Sequence, residues 1–154
     1  MSWFYRTGVL CGALLLALTA LAVAEFNPRR TLQANLAAGK PTVLIVSRTP
    51  TPADQRSEAY ADWAGYLNDF AEDHQGDFEF LKVKPTELKA IFAEHTPVKS
   101  PFATIFFRDA QSAIYYDGMI HDRNAYRAVA AFLAGRAVEE RPRSALKPFR
   151  FRLR

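Results

Sequence analysis

Residues Pro41 to Ser47 (PTVLIVS) form an unbroken run of aliphatic and β-branched side chains with no polar alternation. A half-exposed strand alternates apolar and polar side chains, so a continuous run of strand length is buried on both faces. That demand places helices on both sides of a mixed sheet. A second run, Pro101 to Phe107 (PFATIFF), repeats the pattern. Neighbouring Phe106 and Phe107 cannot share one side of a strand, and Tyr115-Tyr116 poses the same question of parity. A sheet covered on both faces buries both members of each pair.

The remaining elements follow from punctuation and period. Thr31 is expected to cap a short helix through Leu32, Leu36 and Ala37, ended by Gly39. After the first strand, Arg48-Thr49-Pro50 breaks the chain. Thr51-Pro52-Ala53-Asp54 then supplies an N-cap, a proline in the first turn and an acidic third position. One helix is expected from there to Gly76, with Tyr60, Trp63, Ala64, Leu67, Phe70 and Ala71 forming the apolar stripe. Phe78 to Val83 reads as the second strand and Pro85 to Glu94 as a short helix. Phe107 leads through a polar turn, Arg108 to Gln111, into a hairpin strand, Ala113 to Tyr116. Asn124 to Leu133 is the last helix, stopped by Gly135.

The N-terminus reads as an export signal. Arg6 precedes an uncharged stretch from Gly8 to Ala24, and Ala22-Val23-Ala24 is a small-x-small cleavage pattern. The expected organisation is a signal at 1–24, a domain at 25–135 and a basic tail at 136–154. An uncleaved anchor over residues 8–24 is the alternative, although the run is slightly short of the ~20 residues of a membrane span. Either way the expected location is periplasmic or otherwise extracytoplasmic.

Charge sharpens the division. Residues 25–135 hold 12 basic and 14 acidic side chains, whereas residues 136–154 hold seven basic and two acidic ones. The high isoelectric point therefore belongs to the tail, which weighs against nucleic-acid binding by the domain. The tail ends KPFRFRLR. As a strand, it sets Phe149, Phe151 and Leu153 on one face and Lys147, Arg150, Arg152 and Arg154 near the other. Lys147, Phe149, Arg150, Phe151, Arg152 and Arg154 are thus candidate contacts to anionic lipid or to a protein partner. A solvated terminus is the plain alternative.

The order α-β-α-β-α-β-β-α over Thr31 to Gly135 resembles the thioredoxin-like superfamily. The marks are a buried first strand leading into a long helix, a proline (Ser100-Pro101) opening the third strand, then a turn, a hairpin strand, Gly118 and a closing helix. The resemblance implies an α/β fold with a central mixed sheet of about four strands, and a cis peptide before Pro101. It aligns Thr51-Pro52-Ala53-Asp54 with the family's Cys-x-x-Cys. Here the departure is decisive: Cys11, inside the signal, is the only cysteine. Disulfide exchange needs a thiolate, and the chain after residue 24 has none to offer.

The resemblance also implies where a partner would sit. In such proteins the backbone before the proline pairs with an extended chain, which needs no cysteine. Ser100, Pro101 and Phe102, with Thr51 and Asp54, are the candidate residues for a peptide or protein. No catalytic residue, metal or cofactor is expected, because His74, His95 and His121 lack ligand spacing. The expected function is a non-redox binding protein acting as an envelope chaperone, assembly or adaptor factor. The alternatives are an inactive subunit whose partner supplies the cysteines, and a membrane-associated structural protein working through its tail.

Overall fold

A computed structural model describes residues 26–136 and 146–154. The expected signal and the tail residues 137–145 lie outside the described residues. Helix α1 spans Pro28–Ala37, strand β1 Thr42–Ser47, the short helix α2 Pro52–Gln55 and α3 Glu58–Asp73. Strand β2 (Glu79–Val83) follows, then a 3₁₀ turn at Pro85–Glu87, α4 (Leu88–Ile91), β3 (Phe102–Phe107), β4 (Ala113–Asp117), α5 (Arg123–Leu133) and β5 (Lys147–Pro148). The result is a mixed α/β fold with one five-stranded sheet in the order β2-β1-β3-β4-β5. Strands β1 and β2 are parallel, and β3 runs antiparallel to both β1 and β4.

The two apolar runs become the two central strands. Every residue of β3 is buried, and β1 is buried except for half-buried Ile45. The strand period then sorts side chains into two cores. Leu44, Val46, Ala103, Ile105 and Phe107 face α1 and α4. Val43, Phe102 and Phe106 face α3 and α5, where Trp63, Leu67, Phe70, Tyr126 and Val129 meet them. Phe106 and Phe107 are both fully buried, one on each side.

Three boundaries differ from expectation. Helix α1 starts at Pro28, because Asn27 is the better cap: its Oδ1 accepts the Arg30 N–H at 3.1 Å. Thr31 lies within the first turn, its hydroxyl donating to the Asn27 carbonyl. The long helix is divided into α2 and α3, since Ser57 takes an extended backbone (ψ 129°) and opens a fresh helix at Glu58. The segment after Pro85 is a 3₁₀ turn and one α turn, ending at Ile91 because Phe92 is extended (ψ 140°).

The largest difference is the fifth strand. Beyond Lys147–Pro148 the chain continues as a strap across the α1/α4 core. Phe149 N–H donates to the Ala113 carbonyl at 2.8 Å, Ala93 N–H to that of Arg152 at 2.7 Å, and Arg154 N–H to that of Ile91 at 3.0 Å. Phe149 is 3% exposed, with its ring against Phe92, Phe107 and Tyr115. Phe151 and Leu153 pack on the same core. The apolar face of the tail is therefore spent inside the protein, and Phe149 cannot serve as the lipid or partner contact expected of it. Extended alternation fits a sheet edge as well as it fits a foreign surface, and here an uncovered edge lies within reach.

Phe149→Ala should destabilise the protein by about 3–5 kcal/mol, the usual range for truncating a buried phenylalanine. Arg150→Gln, at an exposed position of the same strap, should stay within about 0.5 kcal/mol of the parent. Urea unfolding of the two variants checks both.

Candidate functional site

Beyond the Ser47–Phe102 pair, Arg48 ties the end of β1 to the segment that opens β3. Its N–H donates to the Pro101 carbonyl at 3.0 Å, extending the β1–β3 ladder by one bond. Its guanidinium grips the Asp54 carboxylate with both terminal nitrogens, at 2.9 and 3.1 Å. The same group lies over the Phe102 ring, 5.1 Å from its centroid. Bidentate pairing and ring stacking are what a planar guanidinium supplies and an ammonium does not. Beneath it, Phe102 meets Trp63 and Tyr60 edge-on at 5.4 and 5.6 Å.

The expected capping box at Thr51 is present. Asp54 N–H donates to Thr51 Oγ1 at 3.2 Å, and Thr51 N–H donates to Asp54 Oδ2 at 2.7 Å. The Thr51 hydroxyl donates to the same carboxylate at 2.9 Å. The Thr51 backbone bond, opposed by desolvation and helped by the Thr51 hydroxyl and Arg48, holds the Asp54 carboxyl below the usual carboxylate range. The carboxylate thus stays ionised through neutral pH, with its basicity reduced and its oxygens occupied. This arrangement is a lock between two chain segments and has poor means to move a proton.

The segment before β3 is satisfied in the same way. Asp117 Oδ1 accepts the N–H groups of Lys99 and Ser100 at 3.0 and 2.8 Å, and Ser100 Oγ accepts that of Phe102 at 3.3 Å. Pro101 follows a trans peptide, not the cis bond that the family resemblance implies. Trans is the ordinary state of such a bond, favoured by about 0.5–1 kcal/mol. The Ser100 N–H expected to pair with an extended ligand already has a partner.

What remains open is beside this segment. Ser100 and Pro101 line a cleft of about 270 Å³ whose apolar wall is Pro85, Leu88 and Val98. Its rim carries Lys89, Lys99, Glu94 and His95. The five candidate residues therefore divide. Ser100 and Pro101 edge the cleft, Thr51 and Asp54 form the lock, and Phe102, 1% exposed, faces the opposite core. Arg48 joins the lock to the proline. Sequence reading treats Arg48 as part of a breaker, because an Arg–Asp spacing of six residues is no local motif. The cleft wall around Leu88 and Val98 is missed for the same reason.

Elsewhere, His74 packs against both the Phe70 and Phe78 rings, each 4.8 Å away, with Asp77 Oδ2 at 3.5 Å. Tyr126, buried against Phe70, has its phenol pushed up by desolvation. No three His, Cys, Asp or Glu side chains gather at one point among the described residues.

Asp54→Asn should lower stability at neutral pH by removing the ion pair with Arg48 and the charged acceptor of the Thr51 N–H, while the Thr51 hydroxyl still caps the N–H of residue 54. The native carboxyl titrates below its unfolded value of about 3.9, so its contribution is complete above that pH and is lost as pH falls through the folded value. The stability gap between variant and parent should accordingly close below about pH 4. Thermal unfolding of both proteins across pH 2.5–7, a range chosen around the reference pKa, checks the sign.

No family model, curated protein or solved structure matches this chain.

Proposed function

We propose that this chain is a thioredoxin-like domain that has exchanged redox chemistry for binding, exported and engaging a protein or extended peptide. The sheet supports the fold assignment. A parallel β1–α–β2 unit, then an antiparallel β3–β4 hairpin beside β1 and a closing helix, is the arrangement of that superfamily's core. The fifth strand is an addition contributed by the tail.

The lock at Arg48, Thr51 and Asp54 carries the functional reading. By the resemblance it aligns with the family's reactive dithiol, and its groups have mutually satisfied hydrogen bonds. A catalytic site needs a reactive group held unsatisfied and open to substrate. A binding scaffold needs a rigid one, because preorganisation lowers the cost of association. The cleft beside Ser100 and Pro101 is the surface this scaffold presents. Its partner would be held by side chains of the cleft, since the Ser100 N–H is engaged by Asp117. An adaptor or assembly role in the envelope uses such a surface.

A photo-crosslinking residue placed at Lys99, on the cleft rim, should trap a defined protein in the envelope of the source cell. The same probe at Asp73, on the far side of the sheet, should not. Adducts of equal yield at both positions would remove the cleft from the proposal. Mixed-disulfide chemistry between cysteines of the partner proteins, seen only when this cysteine-free domain is bound to them, would favour the redox-subunit reading instead.

A further inference from the structure

We infer that the corner where the first turn of α1 meets the C-terminal strap is a contact surface for an anionic lipid bilayer. The two segments are far apart in sequence, and the fold brings them to one place. Arg154 N–H and guanidinium Nε donate to the carbonyls of Ile91 and Phe92, at 3.0 and 2.9 Å. Gln33 of α1 donates to the Arg154 carbonyl at 3.2 Å. Ile91 also lines a hollow together with Phe26, Arg29, Arg30 and Glu87.

Three independent features of this corner ask for a negatively charged, apolar-cored partner. Phe26 is 61% exposed and is the only large apolar side chain so displayed among the described residues. Only Glu25 separates it from the apolar stretch Gly8–Ala24.

Arg29 and Arg30 occupy the first turn of α1, which has no acidic residue to offset them. The positive end of the helix dipole disfavours cations there, and an external anion relieves that cost. Neither arginine joins an ion pair among the described residues.

The strap supplies the third feature. With Phe149, Phe151 and Leu153 on the core, alternation turns Arg150 and Arg152 outward, and both are exposed. The acidic residue of the hollow, Glu87, accepts the Lys84 N–H at 2.6 Å and keeps its charge, against the four positive charges of Arg29, Arg30, Arg150 and Arg152. Nucleic acid would explain the charge but neither the exposed phenylalanine nor its apolar approach, and the rest of the domain carries more acidic than basic residues.

The test uses the full chain in nanodiscs of phosphatidylcholine alone or mixed with phosphatidylglycerol, read by hydrogen exchange. Residues 26–31 and 149–154 should exchange more slowly on the anionic discs. At ~1 kcal/mol per basic residue near such a surface, each Arg→Gln change at 29, 30, 150 or 152 should reduce that protection about fivefold. The core amides of β3 report that each variant is folded. Equal exchange on both compositions would overturn the inference. So would a difference that persists in the fourfold variant, or protection that appears only when envelope proteins are added.

Discussion

Strand β3 is the constraint on which this molecule depends. Its six residues are buried on both faces and paired on both edges, so each helix layer, the strap and the candidate site is located by reference to it. Phe106 and Phe107 show why no neighbouring element is optional. Each ring requires its own hydrophobic layer, and removing either layer would expose apolar area worth about 25 cal/mol per Å². On one side that layer is α3 and α5. On the other it is α1 and α4 completed by Phe149 and Phe151, whose rings lie 6.1 and 4.9 Å from Phe107.

This dependence links stability to the proposed roles. The strap closes the α1/α4 core and, by the same alternation, turns its arginines outward. A single segment thus finishes the fold and charges a surface. Arg48 has a comparable double position: its backbone extends the β1–β3 ladder, and its side chain closes the lock on Asp54. Both devices consume groups that sequence reading would leave free for a ligand.

The central strands were legible from PTVLIVS and PFATIFF because a continuous apolar run admits few other fates. The apolar stripe of α3 was legible at Trp63, Leu67 and Phe70, all buried as the period requires. The Thr51–Asp54 capping box was legible because it is local, its partners being three residues apart. The α2–α3 break was missed although Ser57-Glu58 is a helix start, since the stripe runs on past it. The peptide before Pro101 is trans where the family resemblance implies cis, since tertiary surroundings set the isomer of an X–Pro bond and no local pattern records it.

The sequence by itself determined the two-sided sheet, the order of its elements and the absence of thiol chemistry after residue 24. Composition and local periodicity are sufficient for those. Tertiary structure decided where the tail's apolar face is spent, how Asp117 closes the backbone before Pro101, and that Arg150 and Arg152 face outward. Phe149 lies 42 residues from Phe107 in the numbering, and Asp117 lies 17 from Ser100. No local pattern records contacts at such separations, because they exist only once the sheet has set its register and its uncovered edge.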